Sequence, residues 1–362
     1  MQAVEFIPKP YALNVEHGKC SWNAPSNIAL IKYWGKREFQ IPANPSVSFT
    51  LDACKTTTSV EFGPRQNEES EFSFEIYFDG QHMDSFRSKI ETFFNRIQIY
   101  APFLSDFHFK IDTSNTFPHS SGIASSASGM SALALCLMSI EKLFQPEMTD
   151  DYFIRKASFL ARLGSGSAAR SIEGDLVVWG EHRDIPGSSD LFGIHYPLEV
   201  HDIFRNYHDT ILLVDKGEKE ISSSIGHNLM HDHPYAETRF QQAHNSVSRL
   251  ITIFKTGDLN AFIQLIESEA LTLHAMMLTS RPSYILMKPN TLEIINKIWQ
   301  FRAESGLNIA FTLDAGANVH VLYPENEAVK IYEFIKTELV AYCQNGHYIC
   351  DRIGFGAKQL PI

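Results

Sequence analysis

Residues 115–129 read NTFPHSSGIASSASG, and they join a strand-like stretch at 107–111 to an apolar run that continues through Leu143. A strand, a turn of small residues and a long helix in direct succession restrict the topologies open to the chain. Small side chains let the backbone approach a neighbour closely. A helix start also carries unpaired N–H groups and a partial positive charge. With several hydroxyls at hand, the turn suits phosphate oxygens or a magnesium ion. It is not a Walker A loop, because no Gly-Lys-Ser/Thr closes it. The same composition also serves tight helix packing, and these residues alone leave both uses open.

Strand-like and helix-like stretches alternate around that join. Runs 57–62, 72–78 and 107–111 are rich in aromatic and β-branched residues and read as strands. Residues 85–100 place Phe86, Ile90, Phe93, Phe94 and Ile97 at helical spacing. A helix is expected from near Ser121 to Leu143 and another over 151–163, with strands over 176–181 and 210–215. Past a boundary near residue 205, helices are expected at 238–255, 259–278, 291–304 and 327–340, with strands at 309–313 and 319–323. This mixed order in 362 residues points to an α+β architecture of two lobes, 1–205 and 206–362, with a substrate cleft between them.

Charge and composition narrow the partners. A formal net charge of -11 argues against nucleic acid, whose phosphates need a basic face. A phosphorylated small molecule stays open if basic residues gather in a cleft. The longest apolar run, 130–140, is too short for the ~30 Å of a bilayer core. Residues 1–6 carry neither a basic nor an apolar leader segment, so a cytoplasmic location with no membrane partner is expected. Five scattered cysteines with no Cys-x-x-Cys pair indicate neither a zinc site nor a disulfide framework.

Three further segments could carry chemistry. In ARLGSGSAARS (161–171) a helix stops at Gly164, and another is expected with Ser165 or Ser167 as its N-cap. Arg170 then stands one turn in, placed to grip a carboxylate or phosphate through two parallel hydrogen bonds, or else to pair with a surface acid. In NAPSNIALIKYWGKR (23–37), Lys32 and Lys36 could meet anionic oxygens while Tyr33 donates a hydroxyl. Edge strands also use lysines in this way to resist aggregation. In IAFTLDAGANVHV (309–321) an apolar strand ends at Asp314 beside a glycine turn. A carboxylate there can act as a general base or merely cap the turn.

Taken together, IKYWGKR, PHSSGIASSASG, GSGSAARS and TLDAGANV resemble the diphosphomevalonate decarboxylase family of the GHMP kinase superfamily, in that family's order and approximate spacing. The resemblance implies a two-lobed GHMP kinase fold, with an N-terminal lobe like domain 2 of ribosomal protein S5 and an α/β C-terminal lobe. It further implies a homodimer that uses ATP and Mg2+ on diphosphomevalonate. Asp314 matches the base for the C3 hydroxyl, Arg170 the carboxylate holder, and Lys32 a lysine beside the base and the transferred phosphate. Tyr33, Trp34, Gly35 and Lys36 match the diphosphate-binding stretch, with Arg87 a looser match. Ser165, Gly166, Ser167, Ala168 and Ala169 would line the substrate, and Ser224 keeps a hydroxyl where the family often has Thr. Ser120, Ser121, Gly122, Ile123, Ala124, Ser125, Ser126 and Ser128 would hold the ATP phosphates.

Ala317, Glu173 and Asp175 depart from the family pattern beside the site and bear on substrate preference. The stretch 226–233, GHNLMHDH, is also unusual for the family; His227, His231 and His233 in it raise a metal question, although the residue pattern assigns no metal ligands. Alternatives within the fold are a phosphomevalonate decarboxylase or a mevalonate kinase-like enzyme, and outside catalysis a ligand-binding homologue. Asp314, Lys32 and Arg170 kept together favour decarboxylation.

Overall fold

The computed structural model describes residues 3–65, 70–118, 123–217 and 223–361, without the side chains of Ser223 and Ser224. In chain order the elements begin with β1 (Gly18–Ile31), β2 (Ser46–Pro64), β3 (Ser73–Phe78), β4 (Gln81–His82), α1 (Arg87–Ile97) and β5 (Phe107–Asn115). There follow α2 (Ser125–Phe144), α3 (Asp150–Gly164), a 3-10 turn (Gly166–Arg170), β6 (Leu176–Trp179) and β7 (Gly193–His195). The remainder is β8 (Tyr207–Leu212), α4 (Ser223–Asn228), α5 (Ala236–Thr256), α6 (Leu259–Thr279), α7 (Pro289–Ser305), β9 (Ala310–Leu313), β10 (Val319–Pro324), α8 (Ala328–Phe334), β11 (Tyr348–Arg352) and β12 (Lys358–Gln359).

One sheet runs β12-β1-β2-β5-β3-β4, with β6 joining β2 and β7 joining β6. Its pairs are antiparallel except β3 with β5, whose connection carries α1. The long β1–β2 ladder extends from Gly18↔Phe62 to Ile31↔Val47 and breaks register between Pro25 and Asn27, where proline offers no N–H. Past Asp52, β2 alternates buried and partly exposed positions, the period-two pattern that marked 57–62 as a strand. The second half of β1 is buried on both faces. Against one face of the sheet, α1, α2 and α3 bury Phe93, Phe94, Phe109, Leu133, Leu137 and Phe159. Against the other, Ile28, Val47 and Phe49 meet Tyr207, Val247, Phe254 and Phe262. A second, antiparallel sheet, β11-β8-β10-β9, packs on α7 and α8 through Ile294, Ile298, Phe311, Val321 and Ile331.

Helix α2 starts at Ser125, later than expected, because Ala124 sits at φ 44 and a left-handed residue cannot continue a right-handed helix. By length and apolarity α2 could cross a membrane, a length the 130–140 run understated, yet most of it is buried. Glu141 on α2 and Lys156 on α3 form an ion pair of 2.7 Å at 0% exposure, which fixes the two helices to each other. The expected helix 327–340 ends at Phe334 and continues as a π turn over Ile335–Leu339.

Although it falls within 206–362, β12 belongs to the first sheet, pairing Trp22↔Gln359 and Asn23↔Lys358. Asp351 secures this return: its carboxylate accepts the N–H groups of Asp52, Ala53 and Cys54 at 2.9, 2.7 and 2.8 Å.

Candidate active site

The end of β1 delivers Lys32 into the seam between the two sheets' lobes. Its side chain is 1% exposed, and Nζ lies 3.1 Å from Oδ1 of Asp314. Asp314 follows β9 at a tight turn, where its carbonyl accepts Gly316 N–H at 2.7 Å and His274 Nε2–H at 3.1 Å. The Lys32 backbone is held on both sides. Its N–H donates to Glu269 Oε2 (3.0 Å), and its carbonyl accepts from Arg239 Nη2 (3.1 Å) and Asn44 Nδ2 (3.0 Å). Arg239 in turn grips Glu269 through bonds of 3.0 and 2.6 Å, with both side chains 1% exposed. A charged, two-point clamp from α5 and α6 thus sets where Lys32 points.

Arg170 ends the 3-10 turn that replaces the expected helix. It is buried, donates from Nη1 to Ser46 Oγ at 2.6 Å, and lies 5.9 Å from the Trp179 ring centre. Its Nε is buried with no protein acceptor among the described residues. Leaving such a donor unmatched is costly, and a carboxylate ligand would satisfy it. Burial pulls the Arg170 guanidinium down to about 10, and the Asp314 carboxylate works against that. Burial likewise lowers the Lys32 ammonium; Asp314 opposes the shift and Arg170 adds to it. These mutual effects put the three residues in one microenvironment.

The rim of this pocket is aromatic and basic. Tyr33 packs its ring 4.7 Å from Trp179, and a side chain on Gly166 would stand 2.7 Å from the Tyr33 hydroxyl, so only glycine fits there. Trp34 is buried with Met230, Met276 and Ala315. Gly35 adopts φ 98, and its N–H donates to His227 Nδ1 at 3.0 Å. Lys36 has its ammonium lowered by burial and then by Arg96. Arg96 reaches from α1 to the Leu163 carbonyl at 2.8 Å. Around the 3-10 turn, the carbonyls of Ser167, Ala168 and Ala169 are tied to Asn27, Ser131 and Ser158, and the Ala168 and Ala169 side chains are buried. Those two alanines can therefore meet a ligand only through backbone.

A second cleft opens beside the first turn of α2. Ser125, Ser126 and Gly129 line it with the apolar Ile76, Phe78, Phe86, Ile111 and Met130, and Lys89 stands at its edge; it encloses about 120 Å³. Among the described residues, no side chain caps the start of α2. Ser126 Oγ lies 3.3 Å from Ser165 Oγ, which joins this cleft to the turn carrying Arg170.

Two family models cover most of the chain: the diphosphomevalonate decarboxylase-like N-terminal domain over residues 24–191, and the mevalonate 5-diphosphate decarboxylase C-terminal domain over 210–353. Diphosphomevalonate decarboxylase of Debaryomyces hansenii is 30% identical over 86% of this chain and 81% of its own length. The chain belongs to the diphosphomevalonate decarboxylase family. Its fold is the two-lobed α+β fold of the GHMP kinases. The Ganoderma lucidum diphosphomevalonate decarboxylase is 29% identical over 92% of this chain and 85% of its own. Among solved structures, MDDEF in complex with MVAPP, AMPPCP and magnesium superposes with a TM-score of 0.81, at 27% identity over 96% of this chain and 100% of that one. Mevalonate diphosphate decarboxylase from Staphylococcus aureus gives 0.80 at 26% identity, covering 96% and 98%.

Within this member of the decarboxylase family, Lys32, Asp314 and Arg170 come together, with Tyr33, Trp34, Gly35, Lys36 and the 165–169 turn around them. Other expected residues fall elsewhere. Arg87 pairs with Glu91 at 3.0 Å and lies over Phe74, because the phase of α1 turns Phe86 and Ile90, not Arg87, to the cleft. Ile123 is packed in the core, and Ser128 is fully buried with its hydroxyl 2.6 Å from Thr56 Oγ1, so both fasten α2 rather than face a ligand. Ser120, Ser121 and Gly122, and the Ser224 side chain, lie outside the described residues. The histidines do not converge: His233 Nδ1 accepts the Tyr235 N–H and its Nε2 bonds the Met276 carbonyl, His231 is exposed, and His227 binds Gly35. Arg96, Glu269, Arg239 and the apolar lining of the second cleft were not anticipated, since each acts through contacts distant in sequence.

Proposed function

We propose that the protein catalyses the ATP-dependent decarboxylation of (R)-5-diphosphomevalonate to isopentenyl diphosphate, releasing ADP, phosphate and CO2. The observation that carries this reading is the convergence of a carboxylate, an ammonium and a half-satisfied guanidinium in one buried pocket. Asp314 takes the proton of the C3 hydroxyl as its oxygen bonds the γ-phosphorus of ATP and the bond to ADP breaks. Lys32 offsets charge on the oxygens in transit, and Arg170 orients the carboxylate so that its C–C bond lies in line for cleavage. The C3–O bond then breaks with its electrons leaving on phosphate. The C–C electrons become the double bond and CO2 departs. Asp314, once more a carboxylate after passing its proton on to solvent, stabilises the positive charge that develops at C3.

The start of α2, with the Ser125 and Ser126 hydroxyls beside an apolar slot for the base, fits a nucleotide triphosphate. Magnesium on those phosphates would supply charge neutralisation at the transferred group. Lys36 and Arg96 on the far rim support a diphosphate over a monophosphate. We also read the chain as a cytoplasmic homodimer with a lobe boundary near residue 205; size-exclusion with light scattering tests the assembly. The chemistry is tested by offering mevalonate, its 5-phosphate and its 5-diphosphate in parallel with MgATP. ADP and CO2 in equal amounts from the diphosphate alone support the reading. ADP without CO2, or a preference for the monophosphate, contradicts it.

A further inference from the structure

His227 is buried between two rings, with centroid distances of 4.2 Å to Tyr33 and 4.6 Å to Trp34. Its Nδ1 accepts the Gly35 N–H at 3.0 Å, so the ring proton resides on Nε2. Among the described residues no protein group accepts a hydrogen bond from that Nε2. The backbone before it packs closely: a side chain on the preceding Gly226 would stand 2.6 Å from the Trp34 ring, and 2.7 Å from the Tyr284 hydroxyl. Burial, and after it the positive Lys36 and Arg170, push the His227 pKa down to about 3. With Lys36 and Arg170 the charges that act on it, this neutral donor suits an anion.

Resting on the decarboxylase reading above, we propose that His227 is a specificity-determining residue that donates from Nε2 to an oxygen of the substrate's diphosphate. Lys36 and Arg96 supply charge on the rim, while the neutral imidazole supplies a directed hydrogen bond that does not depend on pH across the physiological range.

Two substitutions separate this from a purely structural role, because each keeps one ring nitrogen's function. In His227→Asn the amide oxygen replaces Nδ1, preserving the Gly35 contact while removing the distal donor. In His227→Gln the amide nitrogen replaces Nε2, preserving the donor while removing the Gly35 acceptor. Steady-state kinetics on the full chain with diphosphomevalonate should show KM raised about ten- to a hundredfold in Asn and within about threefold of wild type in Gln, with KM for ATP unchanged in both. The reverse order, or equal impairment of the two, overturns the proposal. If thermal melts show Asn unfolded, the Gln variant decides alone: KM retained supports the donor and KM lost overturns it. Absence of turnover in the wild-type arm would instead refute the decarboxylase reading and is read separately.

Discussion

Lys32 Nζ and Asp314 Oδ1 stand 3.1 Å apart although 282 positions separate them in the chain. Lys32 enters from the end of β1, Asp314 from the turn after β9, and the two meet only because β1 is packed between the lobes. The pairing has energetic consequences. A buried ammonium without a partner would lose its proton, and the carboxylate 3.1 Å away is what opposes that loss.

Arg170 is held by Ser46 through one nitrogen and leaves Nε unmatched. On the proposed reading, replacing it with Ala removes a charge-assisted pair to the substrate carboxylate, each such bond being worth roughly 1.5–3 kcal/mol. Arg170→Ala should lower kcat/KM for diphosphomevalonate by at least about a hundredfold, with ATP affinity within a few-fold. Arg170→Lys should recover little of the loss, since a point charge cannot replace the planar fork. Recovery to near wild type in either variant would remove Arg170 from the site.

Glu269 is the acid that accepts the Lys32 backbone N–H. Glu269→Ala would leave Arg239 charged and buried, a change that costs about 3–5 kcal/mol when one partner of a buried pair is lost. Urea unfolding should register a loss of that size. The folded fraction should also show reduced kcat, because the Lys32 backbone loses its acceptor.

A pH profile gives an independent handle. Burial lowers the Lys32 pKa below the ordinary lysine value, so its charge is lost at a lower pH than an exposed lysine would lose it. The kcat/KM profile, which reports the free enzyme, should therefore fall on the alkaline side below about 10.4. Lys32→Arg should shift that limb upward, since in the same surroundings a guanidinium holds its proton more tightly than an ammonium. An unchanged limb would assign it to another group.

Side-chain type and turn chemistry singled out Asp314 at a strand end and Arg170 after the Gly-Ser-Gly-Ser corner, but left each open to a structural role, and the helix expected to carry Arg170 is a 3-10 turn. Lys32 was ambiguous by itself, because a lysine at a strand end serves equally on an exposed edge. Only the other segments in order gave it a role. β1 went unread as a long strand because Asn23, Ser26 and Asn27 interrupt its apolar pattern. The fold satisfies them with Thr57 and the carbonyls of Ile123 and Ser167, partners up to 140 residues away. Arg87 rested on a loose family match rather than on a local signal, and its side chain pairs with Glu91 over Phe74. Ser128 looked like one more phosphate hydroxyl in a Ser-rich run, and only its burial against Thr56 reveals a structural task.

The account turns on Asp314 being the group that takes the C3 proton and couples phosphorylation to CO2 loss. Its most direct test is Asp314→Asn, which keeps the shape beside Lys32 and removes the base. ADP and CO2 should be scored together on diphosphomevalonate, with substrate and nucleotide binding measured on the same preparation. Both products should fall by roughly 10²–10⁴-fold while binding stays within a few-fold. Near wild-type release of ADP and CO2 by this variant would contradict the assignment.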